Sequence, residues 1–226
     1  MLGRKVALAI LMLAIAAFLA VYMGIWATSE NPTEASTGSS TSGSTGGGAI
    51  LPVSSNTVPS IEEAARALNA SGPVRLPTRI PANMTYVRMI YSSDSDTIYV
   101  FYADEPIAEE NNPFVLMHML EGWTFDVEGG APDMMIIIHK LDPEAVALCS
   151  DINTEEAARE YADRFNLTYR MVDGIAVFGY DPVECELWSE PIGTVHFYVD
   201  DLVYDIRSHL SYEEAVEIAR SIIEQF

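Results

Sequence analysis

Four histidines are the side chains best suited to bind a metal ion or to transfer a proton. His118 and His139 lie in apolar segments, His196 lies on the polar face of a strand-like segment, and His209 precedes the last amphipathic segment. No pair has a His-x-x-x-His spacing with a nearby acid, the pattern that places two ligands on one helix face. We therefore favour ordinary core or surface histidines over a zinc site.

Pairs of acidic residues are the second candidate, because carboxylate oxygens bind calcium. The pairs are Asp94/Asp96, Glu109/Glu110 and Asp200/Asp201. None has the spacing of a known calcium loop, so solvated turns are the favoured interpretation. The converging carboxylates of a glycoside hydrolase meet only in the folded chain, which leaves a tethered envelope hydrolase open as an alternative function.

Motifs that bind nucleotides or activate a serine are absent from the sequence. It contains no Gly-x-Ser-x-Gly, no Walker loop and no Gly-x-Gly-x-x-Gly. The glycine pair Gly129-Gly130 precedes Ala131-Pro132 and is typical of a turn. The sequence therefore predicts no catalytic residue, no metal and no cofactor, and it favours a non-enzymatic sensing or binding module.

Residues 6–26 form an uninterrupted apolar run without a charged residue. A membrane-spanning helix needs about 20 apolar residues, whereas the apolar part of a cleavable signal peptide has about 7 to 15. Tyr22 and Trp26, near the end of the run, suit the aromatic belt at a membrane interface. A retained signal-anchor is the favoured interpretation, and a cleaved signal peptide is the alternative.

Arg4 and Lys5 precede the run and set the predicted orientation, because short basic segments stay in the cytoplasm. Residues 1–5 are then a cytoplasmic tail, and the remainder of the chain lies outside the cell membrane. Residues 27–60 are rich in Ser, Thr, Gly and Pro, a composition that cannot bury a core, and we interpret them as a linker. The extracytoplasmic domain comprises residues 61–226.

The chain is strongly acidic, with 33 acidic and 12 basic residues and a formal net charge of -21. Nucleic acid is excluded as a partner class, because phosphate binding depends on concentrated positive charge. Such acidity is typical of an exposed domain that stays soluble. The predicted partners are the lipid bilayer, through the N-terminal helix, and an envelope protein or a lipid-like ligand.

The pattern of residues 61–226 predicts an α+β domain, in which hairpins build one antiparallel sheet and a few helices cover mainly one face. Predicted helices span residues 61–68, 154–165 and 212–226. Predicted strands lie within 86–102, at 114–120, at 134–139, and on both sides of the turns Asp173-Gly174 and Asp200-Asp201. In the last hairpin His196 faces Asp205 on the solvent side, where the carboxylate would favour the charged imidazole.

The stretch 74–223 resembles a family of bacterial and archaeal envelope proteins of unknown function. The resemblance rests on LPTRIPAN at 76–83 and on the hairpin VHFYVDDLVYDI that leads into SYEEAVEIARSI at 195–222. Phe197 and Asp200-Asp201 stand where the family usually has Trp and an Asn-Gly turn. Members occur in anti-sigma-factor-like and lipoprotein-sorting-like membrane proteins after one transmembrane helix. The resemblance implies a sensing or interaction module and supplies no catalytic residues to transfer.

Cys149 and Cys185 are the only cysteines, and both lie on the side predicted to be outside the membrane. Oxidising compartments let such pairs persist, so we predict one disulfide, with two buried, reduced thiols as the alternative. Three Asn-x-Ser/Thr sequons, at Asn69, Asn83 and Asn166, are candidate glycosylation sites in the same compartment. Their occurrence by chance is an equally weighted alternative.

The predicted orientation leads to a direct test. Protease added to intact cells is expected to release the domain by cutting within residues 27–60, because that segment lies outside the membrane in this topology. Immunoblotting of washed cells measures the loss of the domain. Protection of the domain until the cells are lysed would show that the orientation is wrong.

Overall fold

The computed structural model describes residues 55–57, 60–109, 112–184 and 190–226. None of the helices in these ranges is both long and apolar enough to span a bilayer. The predicted cytoplasmic tail, membrane helix and most of the linker lie outside the described residues, as does Cys185. The described ranges cover most of the predicted extracytoplasmic domain.

One eight-stranded sheet forms the centre of the fold, and every pair of neighbouring strands is antiparallel. Its strands are β1 Ser55–Thr57, β2 Tyr86–Ser92, β3 Thr97–Ala103, β4 Met134–Lys140, β5 Thr168–Val172, β6 Ile175–Val183, β7 Ile192–Val199 and β8 Leu202–Ser208. Their order across the sheet is β1-β2-β3-β4-β8-β7-β6-β5. The prediction of an antiparallel sheet built from hairpins is confirmed, and β1, inside the predicted linker, joins it by pairing with β2.

Tight turns set the register of the hairpins, as the sequence predicts. Val172 pairs with Ile175 across Asp173-Gly174, and both turn residues have positive φ, 48° and 84°. Such φ values match the two-residue turns whose twist suits a hairpin, and Asp and Gly tolerate them. Val199 pairs with Leu202 across Asp200-Asp201, where Asp200 has a positive φ of 53°. Both predicted turns are confirmed.

The described residues form five helices, each of which begins at a side-chain cap. They are α1 Ile61–Leu68, α2 Pro113–Leu120, α3 Pro143–Ser150, α4 Glu155–Phe165 and α5 Tyr212–Ile223. At α5 the hydroxyl of Ser211 accepts a hydrogen bond from the Glu214 amide, and the Glu214 carboxylate accepts one from the Ser211 amide. This reciprocal pair satisfies two amides that the helix start leaves without partners. The predicted helices at 61–68, 154–165 and 212–226 are confirmed within a few residues.

The prediction of a strand at 114–120 is wrong, because these residues form α2. Asn112 accepts a hydrogen bond from the Phe114 amide at 2.9 Å, and Pro113 occupies the first turn, where its missing N–H costs nothing. The segment is apolar on nearly all sides, so its sequence has no helical periodicity from which a helix could be predicted. It is buried along most of its length for the same reason.

Both faces of the sheet are covered, so the prediction of helices mainly on one face is also wrong. We call face A the side that carries Ile136 of β4, and α1 and α5 pack against it. Face B carries Ile137, and α2 packs on it over β3 and β4. Helix α4 packs on the same face over Phe178 of β6. The physical reason lies in β4, which is apolar at successive positions and therefore presents an apolar surface to both sides.

Candidate functional site

Polar side chains occupy the middle of face B, between α2 and α4. The register of β6, β7 and β8 places Tyr180 beside Thr194 and Thr194 beside Arg207. One step along the strands, His196 lies directly opposite Asp205. All five side chains are half-buried, whereas the alternate residues of β7 and β8 are buried in the core on face A. These polar side chains thus form a strip across a mostly apolar sheet.

A cavity of about 200 Å³ opens over this strip, and we call it the Arg207 pocket. Arg207, Thr194 and Tyr180 from three adjacent strands form its floor, with Ile192 at one end. The C-terminal half of α2 forms its wall through Met117, Leu120 and Glu121. The pocket therefore joins a polar floor to a largely apolar wall, the usual composition of a small-molecule site.

The Arg207 guanidinium has few partners for its five N–H groups within the described chain. Its Nη2 donates to Asp205 Oδ2 at 3.3 Å, and its Nη1 makes a long contact with the Met117 sulfur at 3.9 Å. Its Nε and the Oδ1 of Asp205 are buried and have no hydrogen-bond partner among the described residues. The charge of Asp205 is the main cause that raises the pKa of Arg207, and burial opposes it. Arg207 is therefore a fixed positive charge that is incompletely satisfied.

Glu121 supplies a negative charge to the lining of the same pocket. Its side chain is only 7% exposed, and one carboxylate oxygen lies 2.7 Å from Nδ1 of His118. It follows the last residue of α2, where the helix dipole is negative and favours a cation. Glu121 and Arg207 form no ion pair with each other in the described chain. Two opposite charges thus line the pocket without neutralising each other directly.

His139 forms a hydroxyl–imidazole pair on the same face of the sheet. Its Nδ1 lies 2.8 Å from Oγ1 of Thr97, and that hydroxyl donates its hydrogen to the Ser95 carbonyl at 2.8 Å. The Thr97 hydroxyl has a single hydrogen, so Nδ1 of His139 must be the donor in the shared contact. Thr97 is fully buried, and burial lowers the pKa of His139, with a smaller opposing effect from Asp205. The threonine is therefore neither exposed nor activated as a nucleophile.

The predicted pairing of His196 with Asp205 is confirmed, but the predicted solvent exposure is wrong. The imidazole stacks on Phe178 with ring centroids 5.6 Å apart and meets Tyr161 of α4 edge-on at 6.3 Å. Burial lowers the pKa of His196, and the neighbouring Asp205 only partly offsets this effect. The sequence shows the cross-strand neighbour but not the helix that covers it.

The predicted acidic turns have structural partners. Asp201 is buried, and its Oδ2 accepts a hydrogen bond from the Ser71 amide at 2.9 Å. Asp96 accepts one from the Tyr91 hydroxyl at 2.7 Å. The interpretation of Asp201 as a solvated turn residue is therefore wrong, because it ties the loop after α1 to the last hairpin. Glu110 lies outside the described residues, and within the described ranges no three His, Cys, Asp or Glu side chains converge as a metal site.

Of the predicted disulfide, the structure describes only Cys149. It is buried in α3, and burial raises the pKa of its thiol to about 11. The pairing with Cys185 stays a prediction, which thiol counting on unreduced protein would test. The sequon residues Asn69, Asn83 and Asn166 are all exposed, and their glycosylation also stays a prediction.

The residues of the Arg207 pocket have no counterpart among the sequence-predicted site residues. Thr194 and Arg207 alternate with apolar residues along the last hairpin, which marks them as one face but not as a site. Glu121 directly follows residues 114–120, which the sequence predicts to be a strand, so the wall of the pocket has no counterpart in that prediction. A charged pair near the centre of a sheet is the signal that points to this site.

Comparison of the chain with protein-family models, with curated proteins and with solved structures finds no match. The resemblance to envelope proteins therefore stays a prediction.

The surroundings of His196 lead to a test by pH titration. We expect its pKa to lie below the ordinary 6.5, because burial disfavours the charged ring. Asp205→Asn is expected to lower it further, since it removes the one charge that raises it. The unfolded chain then binds this proton more readily than the folded chain, so His196 reduces stability as the pH falls below about 6.5.

NMR titration of the imidazole resonances measures these pKa values. Asp200→Asn is the matched control, because Asp200 lies in the turn of the same hairpin and is exposed. It should leave the pKa of His196 unchanged. A pKa above 6.5 in the unsubstituted protein would contradict the burial of the ring, and a rise after Asp205→Asn would contradict the effect assigned to the Asp205 charge.

Proposed function

We propose that this chain is a membrane-tethered extracytoplasmic domain that binds a small ligand in the Arg207 pocket without transforming it. The observation that carries the proposal is the incompletely satisfied Arg207 on the floor of a cavity with an apolar wall. A few convergent polar groups in an apolar concavity are the usual basis of orientation and specificity in a ligand site.

The energetics of the charged strip support binding over a purely structural role. A buried ion pair is seldom more stable than well-packed apolar residues of the same volume, because both charges lose hydration. Asp205 and Arg207 each keep a buried polar atom without a partner in the described chain, which adds a further cost. A ligand oxygen that accepts from Nη1 of Arg207 would add a charged hydrogen bond that this atom lacks in the described chain.

The hydrolase alternative has weaker support in this geometry. Its best candidate nucleophile is the Thr97 hydroxyl beside His139, and that hydroxyl is buried and already donates to a carbonyl. An activated nucleophile needs access to its substrate and a base that can take its proton. Binding without catalysis is the function that these contacts favour.

The tether is proposed from the N-terminal sequence. The apolar run at residues 6–26 has the length of a membrane span, and residues 27–60 have the composition of a flexible spacer. A sensing or interaction role is also what the resemblance to envelope proteins implies. In this arrangement the pocket samples ligands outside the cell membrane.

Methionine-methyl NMR on the full chain in lipid nanodiscs tests the binding proposal. Met117 lines the pocket, whereas Met84 is buried in the cluster on face A, so their methyl groups report on the site and on a remote control. A panel of small carboxylates, amines and zwitterions is expected to include compounds that shift the Met117 signal in a saturable way. The signal is assigned with Met117→Leu.

The Met84 methyl signal should not follow the same titration. A panel in which no compound shifts the Met117 signal would overturn the proposal. Compounds that shift only the Met84 signal would place the binding site elsewhere and would overturn the proposal as well.

A further inference from the structure

We propose that the Arg207 pocket takes a small zwitterionic α-amino acid with an aliphatic side chain. The inference rests on the proposed binding function and names the ligand class for the same site. It follows from three features of the pocket: a positive group on the floor, a negative group on the wall that is not paired with it, and apolar side chains in the lining.

The positive group is suited to a carboxylate. Arg207 presents N–H donors in a planar fork that matches the two oxygens of a carboxylate. Within the described chain its Nη1 has only the Met117 sulfur as a partner, at 3.9 Å. The hydroxyls of Thr194 and Tyr180 lie beside it on the floor and can complete the coordination of a second oxygen.

The negative group is suited to an ammonium. The Glu121 carboxylate is largely buried, and His118 is its one partner among the contacts of the described chain. A carboxylate accepts more hydrogen bonds than that single contact uses. Its place just after the C-terminus of α2 adds the negative end of the helix dipole.

The two charges together select against ligands of one sign. A simple carboxylate that reached Arg207 would also meet Glu121, and a simple amine that reached Glu121 would meet Arg207. Each would be repelled by the group of its own charge, and in a partly desolvated site this repulsion would offset part of its attraction to the other group. A zwitterion can pair with both groups. In an α-amino acid the ammonium and the carboxylate are bonded to the same carbon atom.

The size and the wall of the pocket favour a small aliphatic side chain. Its volume of about 200 Å³ is below the roughly 300 to 1,000 Å³ that is common for drug-sized ligands. Met117, Leu120 and Ile192 provide the apolar surface for the side chain. The unbranched and flexible methionine can adjust to aliphatic groups of slightly different shape.

A matched ligand series on the full chain in nanodiscs tests the inference. The probes are L-valine, 3-methylbutanoate, which lacks the amine, and 2-methylpropylamine, which lacks the carboxylate. We expect L-valine to shift the Met117 methyl signal, and each analogue to bind about 10- to 100-fold more weakly, because each loses one charged hydrogen-bond partner. Dissociation constants come from the methyl titration.

Glu121→Gln separates the two charged groups within the protein. It keeps the shape of the side chain and removes its charge, so the affinity for L-valine is expected to fall about 10-fold or more while the affinity for 3-methylbutanoate rises. Glu128→Gln is the control, because Glu128 is exposed and does not line the pocket. It should leave both affinities unchanged.

The outcomes separate this inference from the binding function on which it rests. If 3-methylbutanoate or 2-methylpropylamine binds as tightly as L-valine, the proposal of a zwitterionic ligand is wrong, but the proposed binding function still stands. If no member of the series or of the broader panel shifts the Met117 signal, both proposals fail. Should Glu121→Gln fail to fold, the ligand series on the unsubstituted chain still decides the question.

Discussion

Strand β8 brings a carboxylate and a guanidinium into the centre of a sheet whose two faces are mostly apolar. Asp205 and Arg207 point to face B, where they are about one-fifth and one-quarter exposed, 21% and 28%. Apolar helices cannot close over this position without burying the charges completely, a change that costs several kcal/mol per ion. α2 packs on face B beside this position and α4 covers the neighbouring His196, while the Arg207 pocket stays open against the C-terminal end of α2.

On face A the same strands do not carry this pair of charges. Val195, Phe197, Tyr204 and Ile206 alternate with the polar residues of the last hairpin and form a continuous core with α1 and α5. Phe197 and Tyr204 stack there with ring centroids 5.0 Å apart. Each large side chain buried there contributes about 1.5 to 3 kcal/mol to the hydrophobic stabilisation of the fold.

The turns and the long amphipathic helices of this fold can be predicted from local sequence. Two-residue turns form both hairpins, with positive φ at Asp173, Gly174 and Asp200, and α5 has both a capping box and an apolar stripe. α2 is different, because a short run that is apolar on every side carries no periodicity and is identified by Asn112-Pro113 alone. Strand pairing could place His196 opposite Asp205, but the cover that α4 provides is a long-range contact with no local signature.

The pocket itself depends on three segments that are far apart in sequence, and for that reason it escapes prediction. Glu121 follows α2, Tyr180 belongs to β6, and Arg207 belongs to β8. None has a characteristic spacing to the others, because their proximity comes from the strand order β8-β7-β6 and from the packing of α2 on face B. The sequence does show two charged residues within a strand in which polar and apolar residues alternate. The structure shows which residues surround them.

We infer that Asp205 and Arg207 serve binding and not the stability of the fold. Urea unfolding of the full chain with the double substitution Asp205→Leu/Arg207→Met tests it most directly, because apolar residues of similar size replace both charges at once. We expect an unfolding free energy that is unchanged or higher by about 1 to 4 kcal/mol. A loss of more than about 2 kcal/mol, the scale of a broken structural network, would contradict the claim and would identify the pair as part of the core.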